Sequence, residues 1–256
     1  MIKDILGRIY ALWVAIIFIT TMLLVLIPLW LTNGQPEPKR TASMATIYRH
    51  WMSVFFFLVG VRLKIYGRKN FAPGENYIVV SNHNSLMDVP LTTARIPGPN
   101  MTIAKSEMGK IPIFGIIYRR GSILVDRKDP NSRRDSFLKM RQVLELGMHM
   151  VIYPEGTRNK TNKPLKEFHD GAFRLATDSR KPILPVIIYG TTKMLPSDKS
   201  FYFWPGKLEM HFLPPLRVTD TDTSDDLKKK VFETMWQYYE EHDPEAAGSR
   251  SKQPGL

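Results

Sequence analysis

The 256-residue chain contains no cysteine. That absence removes disulfides, thiolate-ligated zinc, iron–sulfur clusters and a thiol nucleophile together. There is no Gly-x-Ser-x-Gly elbow of the kind that presents a nucleophilic serine, and no Gly-x-x-x-x-Gly-Lys-Ser/Thr phosphate loop. Acidic residues are scarce beside basic ones, 24 against 36, for a formal charge of +12. Such an excess calls for an anionic partner: nucleic acid, a membrane surface or a phosphorylated substrate. No nucleic-acid motif or base-stacking platform accompanies it. Hydrophobic residues make up 43% of the chain, enough for a full core. Composition does not break between residues 63 and 220, which predicts one main domain.

Ile9 to Leu31 is uncharged throughout, with Lys3, Asp4 and Arg8 before it and Lys39 and Arg40 after. A helix needs roughly 20 apolar residues to cross a bilayer, whereas a signal peptide has an apolar core of only about 7–15. Trp13 and Trp30 suit a headgroup interface. Gln35 to Arg40, with two prolines, reads as a loop. Trp51 to Val61 is apolar but too short to span, so we expect an interfacial or re-entrant helix, with a core helix of the following domain as the other reading. Charges flank both segments and set no orientation. The expected organisation is a membrane-associating helical region at 1–62, a folded domain at 63–242 and a disordered polar tail at 243–256.

From residue 63 onward short β-rich runs alternate with helical patterns. Strands are expected at Leu63–Tyr66, Tyr77–Val80, Met101–Ala104, Ser122–Val125, Met150–Tyr153, Ile183–Tyr189 and Leu208–Phe212. Helices are expected at Val89–Arg95, Pro112–Arg119, Ser132–Gly147, Gly171–Ser179 and Ser224–Glu241. Alternation of this kind predicts an α/β fold with a mostly parallel sheet flanked by helices.

Three segments carry chemistry. Ser81-Asn82-His83-Asn84-Ser85-Leu86-Met87-Asp88 follows an apolar run. A histidine can act as a base near neutral pH, and a nearby carboxylate can orient it. Five residues along one regular helix would turn the two side chains about 140° apart, so His83 and Asp88 can meet only across a turn at a strand end. Gly121 to Arg127 delivers an Asp-Arg pair to the end of a strand. In Val151-Ile152-Tyr153-Pro154-Glu155-Gly156-Thr157-Arg158 a strand stops at proline. The glycine then permits a tight turn, and the hydroxyl and guanidinium suit a phosphate. Read singly, each segment also fits an ordinary turn or a strand-end ion pair. Asn159-Lys160-Thr161 matches a glycosylation pattern but falls inside this turn.

Taken in order, these residues resemble the glycerolipid acyltransferase family, and within it the 1-acyl-sn-glycerol-3-phosphate acyltransferases. Asn82, His83 and Asp88 match its Asn-His-x-x-x-x-Asp motif. Gly121 to Arg127 match the second, with Leu124 where phenylalanine is common. Pro154 to Arg158 match the third in full, with Tyr153 for phenylalanine and Asn159 for serine beside it. Pro182-Ile183-Leu184-Pro185-Val186 matches the fourth. Ala104 to Gly115 also looks like the family's segment between its first two motifs.

The resemblance implies transfer of a fatty acyl group from acyl-CoA or acyl carrier protein to the sn-2 hydroxyl of lysophosphatidate, giving phosphatidate for phospholipid synthesis. It implies His83 as base and Asp88 as its orienter. Glu155, Gly156, Thr157 and Arg158 would hold the acceptor phosphate, with Arg127 and Lys105 as further substrate contacts. No metal or cofactor is implied. Ser85 suits local capping better than nucleophilic attack, and Ile111 to Tyr118 could help line an acyl groove. The catalytic domain would sit at the inner membrane, facing the cytoplasm where the donors are. Acylation of glycerol-3-phosphate or of another lysolipid such as a lyso-ornithine lipid stays open. So do hydrolysis, with water replacing the alcohol, and a non-catalytic basic membrane-binding protein.

Overall fold

A computed structural model describes residues 2–161 and 163–243; the expected tail beyond Asp243 lies outside the described residues. Seven strands form one sheet in the order β1-β7-β6-β2-β5-β3-β4. They are β1 (Arg62–Tyr66), β2 (Ile78–Ser81), β3 (Asn100–Lys105), β4 (Ser122–Val125), β5 (His149–Ile152), β6 (Ile183–Tyr189) and β7 (Lys207–Phe212). Every neighbouring pair is parallel except β6–β7. The expected α/β class and all seven strands are therefore present.

Helices cover both faces, and this explains why the central strands read as unbroken apolar runs. Along β6, Leu184, Val186 and Ile188 join one core, while Ile183, Ile187 and Tyr189 join the other. The first face carries α1 (Ile2–Leu31), α2 (Lys39–Leu58), α3 (Asp88–Arg95) and α4 (Phe114–Gly121). The second carries α5 (Pro130–Glu145), α6 (Gly171–Ser179) and α8 (Ser224–His242). Leu227, Val231 and Met235 bury the inner stripe of α8, and a Thr223–Asp226 capping box starts it.

Helix α1 is apolar nearly all round, yet only one stripe is docked. Gly7, Ala11, Val14, Met22 and Leu29 are buried, with Phe18 and Val25 packed between them at helical spacing. The opposite face, including Ile9, Ile16, Leu24, Ile27 and Trp30, is exposed. Contacts fasten it at both ends. Asp4 pairs with Lys199 and the Arg8 guanidinium donates to Ser200 O. Near the other end, Arg120 donates to Leu29 O and to Asn33.

Helix α2 starts at Lys39, inside the stretch read as a loop, and runs well before the apolar segment that signalled it. Trp51, Met52, Phe55 and Phe56 are buried in the core beneath the sheet, while Val54, Phe57 and Leu58 on the same segment are exposed. The segment is thus half core helix and half bare apolar surface. A short helix, α7 (Thr191–Met194), was not anticipated.

Candidate active site

Because β2, β5, β3 and β4 run parallel, their carboxyl ends share one edge of the sheet, where sites of α/β proteins are commonly built. Asn82 fixes the first loop there. Its side-chain amide donates to Ile188 O at 2.9 Å and accepts from Ile188 N at 2.8 Å, copying a strand pairing across to β6.

His83 follows, and the chain turns as the spacing required. Its Nδ1 lies 3.0 Å from Asp88 Oδ2. The same carboxylate oxygen accepts from the amides of Asn84 and Ser85, each at 2.7 Å. Asp88 opens α3 and is 1% exposed. Three donors converging on one oxygen fix the carboxylate, which in turn places the imidazole proton on Nδ1 and leaves Nε2 as the acceptor. His83 keeps 15% side-chain exposure, so Nε2 is within reach of a substrate. The ring packs on Tyr153, with centroids 4.5 Å apart. Burial raises the Tyr153 phenol well above its ordinary range, so it stays neutral, and its OH sits 2.5 Å from Thr92 Oγ1. Ser85 donates its hydroxyl to Leu195 O and accepts from Met87 N at 3.4 Å, so it braces the turn against a distant loop; the expected cap is not formed, because Met87 is the N-cap of α3 and no side chain caps that helix.

The third segment grips His83 by its backbone. Glu155 Oε1 accepts from His83 N at 2.7 Å, and Asn159 N donates to His83 O at 2.6 Å. Glu155 is 0% exposed, and its Oε2 accepts from Lys166 N at 3.0 Å. Sequence reasoning grouped Glu155 with the phosphate-holding residues; its carboxylate instead bridges two loops from inside the protein. Burial raises its pKa to about 7, against the pull of its two amide donors.

Gly156 takes φ 69°, and a Cβ there would come within 2.7 Å of the His169 ring. The Arg127 guanidinium donates to Gly156 O, so Arg127 braces the turn. Thr157 is exposed, and its hydroxyl accepts from Lys166 Nζ at 3.0 Å. Arg158 is half-buried and has no side-chain hydrogen bond among the described residues, leaving its fork free for a ligand. Lys105 ends β3, exposed on the same edge, and forms no hydrogen bond or ion pair with these groups among the described residues. Asn159 is 5% exposed and its amide is spent on Lys163 O and Thr161, so the glycosylation pattern has no accessible acceptor.

Leu86 and Met87, in the turn between His83 and Asp88, line a cavity of about 410 Å³. Most of its wall comes from α1, α2, α3 and α4, including Phe18, Ala45, Phe114 and Tyr118, with Leu195 and Phe203 among the residues that complete it. The lining is overwhelmingly apolar, which suits a hydrocarbon chain. From the Ile111–Tyr118 stretch, Phe114, Ile117 and Tyr118 line it.

The groups that hold His83 at long range were not visible beforehand. Asn82, Glu155 and Asn159 were noted as motif residues, but their partners are backbone atoms 72 to 106 residues away or unpredictable loop amides. Lys166 left no signal at all.

The acyltransferase family model matches residues 62–189. The 1-acyl-sn-glycerol-3-phosphate acyltransferase alpha of Homo sapiens is 31% identical over 212 residues, covering 78% of this chain and 72% of that protein. The 1-acyl-sn-glycerol-3-phosphate acyltransferase of Helicobacter pylori is 34% identical over 160 residues, covering 62% of this chain and 66% of its own length. The crystal structure of the 1-acyl-sn-glycerophosphate (LPA) acyltransferase PlsC from Thermotoga maritima superposes with a TM-score of 0.77 at 25% identity, over 95% of this chain and 97% of that one. With the matched region running from β1 through β6 and enclosing both loops that hold His83, the chain belongs to the acyltransferase family.

Proposed function

We propose that this chain transfers a fatty acyl group from a thioester donor to the sn-2 hydroxyl of 1-acyl-glycerol-3-phosphate, forming phosphatidate. The observation that carries the reading is the His83–Asp88 pair, 3.0 Å apart, beside both an apolar cavity and a free arginine. His83 Nε2 takes the proton of the acceptor hydroxyl as its oxygen attacks the thioester carbonyl. The tetrahedral intermediate collapses by breaking the carbon–sulfur bond, and the departing thiolate takes the proton from the imidazolium. Asp88 stabilises the imidazolium between these steps. A direct transfer fits a chain without cysteine and with Ser85 engaged elsewhere. In this reading Arg158 and Thr157 hold the acceptor phosphate, Gly156 lets it approach the backbone, and Glu155 and Arg127 position the turn. Lys105 adds positive charge at the same edge.

The docked stripe of α1 supports a place at the membrane surface. A 30-residue helix is about 45 Å long, and it is fastened to the globular domain near both ends. It therefore lies along that domain with its bare face in one leaflet rather than crossing the bilayer alone. Phe57, 82% exposed, extends the same surface from α2. Residues 1–62 would be the membrane-associating part, 63–242 the catalytic part. Acyl-CoA or acyl carrier protein reaches such a site from the cytoplasm, so the catalytic part would face inward at the cytoplasmic membrane.

The test is purified protein with one labelled acyl-CoA and a panel of lysolipids. Labelled phosphatidate should dominate. A faster product from glycerol-3-phosphate or a lyso-ornithine lipid would reassign the acceptor, and free fatty acid without acceptor would indicate a hydrolase.

A further inference from the structure

A second cavity, of about 480 Å³, lies between residues 163–168 and α8, with Thr161 also on its wall. Four lysines line it: Lys163, Lys166, Lys228 and Lys229, with Glu167 the acid among them. Phe232 and Trp236 supply two neighbouring ring faces, centroids 5.6 Å apart, and Phe168 supports Phe232 edge-on from below at 5.0 Å. Lys228 is already paired with Asp170 and Asp225, and Lys166 with Thr157. Lys163 and Lys229 are exposed and form no ion pair among the described residues.

We propose that this recess binds the phosphorylated adenosine end of acyl-CoA. Free ammonium groups would take its phosphates, and the Trp236–Phe232 faces its base. The inference rests on the acyl-transfer reading and deepens it by choosing the donor. Position in the fold separates this ligand from a lipid headgroup. The recess belongs to the layer of α6 and α8, whereas the bare apolar surfaces of α1 and α2 belong to the opposite face of the sheet. A soluble anion approaching from water meets the first layer, and a lipid meets the second. The recess also reaches the chemistry. Lys166 lines it, and Lys166 N donates to the Glu155 carboxylate that holds His83. The pantetheine arm would run from this recess along that connection to the shared strand edge. An acidic carrier protein would use a broad basic surface rather than a recess with two stacking faces.

The test uses the full chain in detergent micelles, titrated calorimetrically with free CoA and with dephospho-CoA, and assayed with acyl-CoA. Lys163→Glu and Lys229→Glu should each weaken CoA binding about tenfold, and the KM for acyl-CoA should rise by the same factor. The KM for lysophosphatidate should not follow. Trp236→Leu should weaken CoA and dephospho-CoA alike, with thermal unfolding confirming the fold. Wild-type affinity for CoA in both lysine variants would overturn the proposal. So would a wild-type protein that binds no CoA but transfers from acyl carrier protein, or a common rise in both KM values. A protein that binds CoA through Lys229 yet acylates no lysolipid would keep this site and remove the acyl-transfer reading instead.

Discussion

The buried carboxylate of Glu155 accepts the backbone amide of His83 at 2.7 Å, tying the third motif to the first across 72 residues. Together with Asn159 N on His83 O, it fixes the residue proposed to act on the substrate. Glu155→Ala would strand two partly buried amide donors, at no more than about 1–3 kcal/mol each. We expect a lower Tm and a kcat reduced about tenfold or more, because small displacements of a reacting group are costly. KM for lysophosphatidate should change little. A large KM effect with kcat intact would return Glu155 to the phosphate site.

Glu155 and His149 should bend the pH dependence of stability in opposite directions. Burial raises Glu155 from 4.5 to about 7. Its contribution is full below about 4.5 and is lost as pH rises through about 7. Burial lowers His149 from 6.5 to about 4, where its neutral Nδ1 accepts from Tyr77 N. Its contribution is full above about 6.5 and is lost as pH falls through about 4. In the wild type the two slopes oppose each other between pH 4.5 and 6.5. Relative to it, Glu155→Gln should lose stability more steeply on acidification, and His149→Asn on alkalinisation across the same range. Thermal unfolding between pH 4 and 8 checks both; parallel curves for all three proteins would contradict it.

Arg158 has a free guanidinium at the site edge, whereas Arg127 is committed to Gly156 O. Arg158→Ala should raise KM for lysophosphatidate about tenfold or more while sparing kcat. Arg127→Ala should lower kcat as well, since it loosens the turn. Steady-state kinetics with varied acceptor separates them, and an unchanged KM in Arg158→Ala would remove its phosphate role.

Ala45 faces the apolar cavity from α2 and is 5% exposed. Ala45→Phe should shorten the space available and shift donor preference toward shorter acyl chains. Competition between donors of different length measures it. An unaltered profile would place the acyl chain elsewhere.

Much of the fold was legible because its signals are local. Ile183–Tyr189 is a fully buried apolar run bounded by Pro182 and Gly190, and its limits match the strand. Gly171–Ser179 likewise matches α6. Helix α2 was legible only in part: before Trp51 its buried residues are Thr41, Met44 and Ala45, and a single large apolar side chain among a polar and a small one marks no stripe. Spacing set the condition for a His83–Asp88 meeting, a turn between them, and the motif resemblance implied the pairing. The purpose of Glu155 did not, because a carboxylate bound to backbone amides has no partner that a side-chain pattern can reveal. Nor could spacing show that α1 would bury one stripe and leave another bare, since both are equally apolar.

The central claim is that His83 activates the acceptor hydroxyl. The most direct measurement is kcat of purified His83→Ala for transfer from acyl-CoA to lysophosphatidate, with thermal unfolding and vesicle binding matched to wild type. Loss of a general base predicts a fall of about 10²–10⁴-fold. Transfer at near wild-type rate by a folded, membrane-bound His83→Ala protein would contradict the account.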